Sequence, residues 1–196
     1  MTDAPSSPTS SSPARARLLA VADALFYADG INATGIDRLI ADAQVTKATF
    51  YKQFGSKDAL ILEYIAGRDQ QVRAAVIGLL EARPDPAGVL AAIVDAVVAD
   101  TARADFRGDP FLNAAAEFAS AAHPVRLAVV DHRDWFTGFL EDRFRELGYA
   151  RPGAAADEFS LLLDGAVCGA YAGDTVAATS AFDRAARRLL TADPAG

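Results

Sequence analysis

Apolar residues recur along this chain three and four positions apart, the spacing that gives a helix one buried face. Residues 15–28 place Leu18, Leu19, Ala22, Leu25 and Phe26 on such a face, and Asp29-Gly30 ends the run. Thr34-Gly35-Ile36-Asp37 reads as a capping box, opening a short second helix that runs to about Asp42 and buries Ile36, Leu39 and Ile40. Ala43-Gln44-Val45 makes a tight connection, and Thr46 caps a third helix of under two turns, 47–53. Gly55-Ser56 stops it, and Ser56 caps a fourth that starts at Lys57 and carries Leu60, Ile61, Tyr64 and Ile65. Further breakers at Arg83-Pro84-Asp85-Pro86, Arg107-Gly108-Asp109-Pro110, His123-Pro124, 148–153 and Gly173-Asp174 predict helices near 57–82, 87–105, 110–121, 124–147, 155–172 and 175–192. No segment alternates β-branched with polar residues, so the expected fold is all-α, with about nine helices.

Composition adds limits. With 196 residues, 52% hydrophobic and 23% charged, the chain can fill one core or two small ones. A single cysteine, Cys168, excludes an internal disulfide framework and a Cys-rich zinc site. No stretch approaches the roughly 18 apolar residues of a membrane helix, so no membrane partner is expected. Residues 1–13 are polar and Pro/Ser-rich, unlike a secretory signal; they are expected to form a disordered tail on a cytoplasmic protein.

The net charge of -7 argues against a protein covered in positive potential, but the distribution reverses the inference. All three lysines, Lys47, Lys52 and Lys57, lie in one short window, and no acidic residue occurs from Gln44 to Lys57. A cationic segment on an acidic body attracts phosphate locally, while the body limits indiscriminate adhesion.

Two short helices joined by a three-residue turn are what a helix-turn-helix requires, the second fitting a major groove about 12 Å wide. On that geometry Thr46, Lys47 and Thr49 face base edges, Ala48 permits close approach, and Tyr51, Lys52 and Lys57 grip the phosphate backbone. Thr34, Arg38 and Gln44 complete the expected DNA-facing set, and Val45, Phe50 and Phe54 seal the core. Lys47 and Lys52 are set apart in sequence from every acid, which favours phosphate contact over a solvated surface role.

Residues 14–66, above all the run Thr46-Lys47-Ala48-Thr49-Phe50-Tyr51-Lys52-Gln53-Phe54-Gly55-Ser56-Lys57-Asp58-Ala59-Leu60 with its preceding apolar helix, resemble the N-terminal domain of the tetracycline-repressor (TetR) family. The resemblance implies a homodimeric transcriptional regulator, usually a repressor, that binds double-stranded operator DNA. It also implies a C-terminal helical domain whose small-molecule effector, unidentified here, lowers DNA affinity. The expected division is 14–58 for DNA binding and 59–196 for effector binding and dimerisation. Gln44 stands where the family usually has glycine in the turn, and a left-handed backbone there costs a residue with a side chain about 1 kcal/mol.

Glycine recurs every fourth residue at Gly165, Gly169 and Gly173, a smooth stripe that lets another helix approach closely. With Phe159, Leu162, Leu163, Cys168, Ala172 and Leu189 it makes the expected dimer face, the competing reading being packing within one subunit. An effector pocket is expected among the fifth to eighth helices, where polar residues stand in apolar surroundings: Asn113, Glu117, His123, His132, Trp135, Asp164 and Tyr171, with Phe106, Phe111, Phe118, Phe136 and Phe139. The segment 107–117 is similar to one in a subset of the family that often has cysteine where Asp109 stands. In some of those members the thiol senses electrophiles, a role Asp109 does not carry over. Cys168 is expected to lie packed and inert.

An enzyme reading would pair His123 or His132 with Asp164, Glu117 or Cys168. No phosphate loop, metal-binding His pair or nucleophile elbow accompanies them, so no catalytic residue, metal or cofactor is expected. A TetR-shaped helical interaction module that does not bind DNA is the remaining alternative, and the intact cationic window opposes it.

Overall fold

The computed structural model describes residues 12–83 and 85–191, which form nine helices and no strand. They are α1 (Pro13–Asp29), α2 (Ile36–Asp42), α3 (Lys47–Phe54), α4 (Lys57–Ala82), α5 (Pro86–Thr101), α6 (Pro110–Ala116), α7 (Pro124–Glu146), α8 (Pro152–Ala172) and α9 (Thr175–Thr191). The chain divides into two compact units between Tyr64 and Ile65, inside α4. The expected tail falls on residues 1–11, which lie outside the described residues, and on Ser12 and Pro13, which instead open α1. The Ser12 hydroxyl accepts from Arg15 N–H and Pro13 takes the first turn, where its missing N–H costs nothing.

In the first unit Leu18, Ala22 and Phe26 of α1 pack with Leu39 of α2, Phe50 and Phe54 of α3, and Leu60, Ile61 and Tyr64 at the start of α4. Phe26 and Tyr64 meet edge to face at 5.5 Å, an arrangement aromatic quadrupoles favour. The capping box at Thr34 does not form: Gly35 occupies the cap of α2 with no side-chain bond. Thr34 turns inward, fully buried, and donates to Gly30 O at 2.8 Å.

The second unit is built around α5, α7, α8 and α9. Its core holds Val89, Leu90 and Val94 of α5, Leu140 and Phe144 of α7, Ala156 and Phe159 of α8, and Phe182 and Ala186 of α9. Phe159 sits edge to face against both Phe144 and Phe182. Three helix boundaries differ from expectation. α6 stops at Ala116, because the Arg126 guanidinium takes up the carbonyls of Ala115 and Phe118, and Phe118 stacks on His123. α5 stops at Thr101, whose hydroxyl donates back to Val97 O and Val98 O. α8 starts earlier, at Pro152, which serves as a first-turn residue rather than as a breaker.

Candidate nucleic-acid interface and effector cavity

The connection Ala43-Gln44-Val45 turns through Gln44 at φ 52°, the one described non-glycine residue with a left-handed backbone. The departure from glycine is therefore tolerated in the expected conformation. Val45 N–H donates to Ile40 O, closing the turn. Thr46 caps α3, its hydroxyl accepting from Thr49 N–H at 3.1 Å and lying 2.9 Å from the Thr49 hydroxyl. Phe50 and Phe54 anchor α3 in the core, so the opposite side turns outward: Lys47, Ala48, Tyr51 and Lys52 are exposed. Tyr51, 45% exposed, rests its ring edgewise on Phe50, which holds the phenol up from the surface.

Folding rearranges the cations. Lys47 Nζ comes to 3.9 Å from Asp37 on α2, so it is not isolated from every acid as the sequence suggested. Arg38 pairs with Asp29 at 2.8 Å and Asp42 at 3.8 Å, yet stays half exposed. Lys57 is drawn inward, donating to Ile31 O at 2.6 Å near the Phe26 ring, which removes it from the phosphate-gripping set. Thr34 is removed as well, its hydroxyl being buried. Lys52 is exposed and has no ion-pair partner among the described residues.

The second unit encloses a cavity of about 510 Å³ between α4, α5, α7 and α8 and the turn before α6. Its wall is largely apolar, from Val72, Ala75, Val76 and Leu79 of α4, Ile93 and Val97 of α5, Phe136 of α7, and Leu163 and Val167 of α8. Of the expected pocket residues Phe106, Phe111, His132, Phe136 and Asp164 line it. The others do other work. Asn113 donates to Arg107 O, His123 caps α7 by accepting from Val125 N–H, and Phe118 stacks on His123. Trp135 packs beneath the Arg73 guanidinium at 4.1 Å, Phe139 lies beside Arg143, and Tyr171 is an exposed ring under Arg107. Glu117 forms the C-cap of α6.

Two polar sets meet the cavity wall, one through Arg133 and Asp164 and the other through His132. Arg133 reaches both Asp164 oxygens, at 3.1 and 2.7 Å, and the hydrogen bond to that carboxylate holds the guanidinium above its ordinary pKa. His132 stacks on Phe111 at 3.6 Å and puts Nδ1 at 2.8 Å from Asp69, whose second oxygen receives Arg73 Nε at 2.6 Å. Burial of Asp69 opposes its charge, but the hydrogen bonds from Arg73 and His132 outweigh burial and keep the carboxyl below its ordinary range. Both histidines are thus engaged with Asp69 and the α7 backbone, not with Glu117, Asp164 or Cys168 as the enzyme reading required.

The family model for bacterial regulatory proteins of the tetR family matches residues 18–64, the span that contains the α2-turn-α3 surface. A solved structure of SCO4454, a TetR-family transcriptional regulator from Streptomyces coelicolor, is 38% identical, with coverage of 91% of this chain and 94% of that one and a TM-score of 0.87. This chain belongs to the TetR family. The HTH-type transcriptional regulator LmrA of Bacillus subtilis is 25% identical over 158 residues, 78% of this chain and 84% of LmrA. Reduced NemR of E. coli shares the fold at a TM-score of 0.80 and 20% identity, covering 93% of this chain and all of NemR. The chain is accordingly a DNA-binding transcriptional regulator with the all-α TetR fold. Among the described residues no helix is long and apolar enough to cross a membrane.

In this TetR chain the glycine stripe on α8 splits. A Cβ at Gly169 would meet Ala178 Cβ of α9 at 3.0 Å, so that glycine serves the α8–α9 contact inside one subunit. Phe159 is core, Leu163 lines the cavity, and Leu162 and Leu189 pack on the core. Gly165, Cys168 and Ala172 stay exposed, and Leu161, 71% exposed, extends their row by one turn. The expectation of a packed Cys168 is thus corrected: its neighbours on the row are solvent-facing, and so is the thiol. Sequence reasoning named Asp109 without placing it in the pocket, and it missed Arg133 and Ser160 of the wall and Asp69 behind His132. Asp69 follows Ile65 and precedes Val72 and Val76 on one apolar stripe of α4, and Arg133 stands among Val129, Phe136 and Leu140 on α7. A charged residue at core spacing was the available signal.

Proposed function

We propose that this TetR-family regulator acts as a homodimeric repressor whose affinity for its operator is set by a small molecule bound in the cavity of the second unit. The carrying observation is the outward side of α3, where Thr46, Lys47, Ala48, Thr49, Tyr51 and Lys52 form a small, hydroxyl- and ammonium-bearing surface of a size that enters a major groove. Gln44 and Arg38 flank it, the first on the turn and the second on α2. Residues 14–58 are assigned to DNA reading and 59–196 to effector binding and dimerisation. The cavity, mostly apolar with a few placed polar groups, is of the type that takes a drug-sized ligand. The row Leu161, Gly165, Cys168 and Ala172, with Val176 of α9 75% exposed, supports pairing of two copies through α8 and α9.

The test is fluorescence anisotropy on duplex DNA from upstream of the chain's own coding region, against a scrambled duplex, with sedimentation to count the copies bound. Two copies on the upstream duplex at an affinity well above that for scrambled DNA is the expected result. Equal affinity for both duplexes, or none, would overturn the proposal. A thermal-shift screen then finds cavity ligands, and a ligand that raises Tm must also change DNA affinity.

A further inference from the structure

The charges around the cavity do not balance, and the imbalance selects a ligand. Arg133 is matched by Asp164 in a two-point contact. Asp100 is matched by Arg103 at 2.9 Å, and Asp69 by Arg73 behind His132. Asp109 has no cation in ion-pair contact among the described residues: its carboxyl accepts Leu112 N–H at 2.7 Å and Phe111 N–H, capping α6, and the basic groups near it, Arg133 and His132, are each hydrogen-bonded to another carboxylate. Burial pushes this carboxyl above its ordinary range, against the Leu112 N–H and nearby His132, which pull it down, and Asp164 adds to the rise. A second group in the wall is also unsatisfied. Ser160 Oγ is buried on α8 without a hydrogen-bond partner, one turn from Asp164. An acidic acceptor with no cation in contact and a hydroxyl lacking a partner, in a largely apolar chamber, are complementary to a greasy molecule bearing one positive, hydrogen-bond-donating end.

We propose that the cavity takes an amphipathic monovalent cation, a fused-ring or similarly bulky apolar body carrying one ammonium group, with the ammonium facing Asp109. The inference rests on the reading of this cavity as the effector site. An anionic ligand is disfavoured by the same geometry, because its only cation, Arg133, already spends two donors on Asp164, and Asp109 would repel it. A neutral ligand leaves Asp109 without a charged partner.

Three probes sharing one apolar body separate these cases: naphthylmethylammonium, naphthylmethanol and naphthoate, titrated into the full chain by equilibrium dialysis and thermal shift. The ammonium is expected to bind at least about tenfold more tightly than the alcohol, as a charge-assisted bond in a dry site requires, and naphthoate more weakly than either. In Asp109→Asn, which keeps the cap on Leu112 N–H, the ammonium's advantage over the alcohol disappears. In Asp164→Asn, which frees Arg133, naphthoate gains on the alcohol. Equal binding of ammonium and alcohol, or preference for naphthoate in the unaltered chain, overturns the cation assignment while leaving the cavity an effector site. Failure of all three probes to bind overturns it too. The wider reading fails separately, if probes that do bind leave DNA affinity unchanged.

Discussion

Lys52 offers the sharpest test of the α3 surface, because it is exposed and forms no ion pair among the described residues, so Lys52→Ala removes a charge without disturbing a contact. Each phosphate neutralised on B-DNA adds about 0.9 to the slope of log affinity against log salt. Raising salt fourfold, from about 50 to about 200 mM, therefore weakens binding roughly 3.5-fold per phosphate contact, and roughly 12-fold for two subunits each contributing one. The variant should lose affinity for upstream and scrambled duplexes alike, with its slope shallower by about 0.9 per subunit. Lys47→Ala should flatten the slope less, since Lys47 stands 3.9 Å from Asp37 and that carboxylate, once deserted, takes up a cation from solution. The assay is anisotropy at four or more salt concentrations with both duplexes. A Lys52→Ala slope parallel to that of the unaltered chain, or a loss confined to the upstream duplex, would remove Lys52 from the phosphate contacts.

At Gln44, φ 52° predicts opposite signs for two substitutions: Gln44→Gly should raise stability by up to about 1 kcal/mol, and Gln44→Val should lower it by about 1 kcal/mol or more, both read by urea unfolding. Asp69→Asn should cost about 1.5–3 kcal/mol at neutral pH, the worth of hydrogen bonds to a charged group. Because the folded-state pKa of Asp69 lies below its unfolded value, that contribution is present above the ordinary carboxylate range and fades as pH falls through the folded value, so the two unfolding curves should converge in acid. Phe159→Ala should cost about 3–5 kcal/mol by opening a cavity between Phe144 and Phe182, seen as a lowered urea midpoint. Leu161→Arg should leave the urea midpoint nearly unchanged and shift sedimentation toward single copies; a midpoint loss as large as that of Phe159→Ala would place Leu161 in the core instead.

The elements were legible because their signals are local. Helix spacing, the Thr46 cap and the glycine stops at Gly30 and Gly55 fixed α1 to α3, whereas the left-handed turn at Gln44 was suggested by the resemblance to the family, which usually has glycine there. What distance in sequence hid was pairing. Lys47 looked isolated because Asp37 lies ten positions earlier, and Lys57 looked exposed because its acceptor, Ile31 O, is a backbone atom on another segment. The cavity was half legible for a related reason. Aromatic and histidine residues drew attention by type, but Trp135 lies under Arg73 of α4 and Phe139 beside Arg143, away from the cavity wall, whereas Arg133, whose counter-ion Asp164 lies 31 positions away in sequence, lines it. Periodicity identifies a buried face, and only the packed partner tells whether a charge on that face is neutralised.

The close seat of Gly169 against Ala178 bears on how two copies would come together. Because α8 and α9 are already zipped by small residues within one chain, each half of a four-helix assembly is complete before its mate arrives. Association is then a docking of prebuilt halves, not folding coupled to encounter, and dilution should yield solitary, still folded subunits whose recombination follows ordinary second-order kinetics.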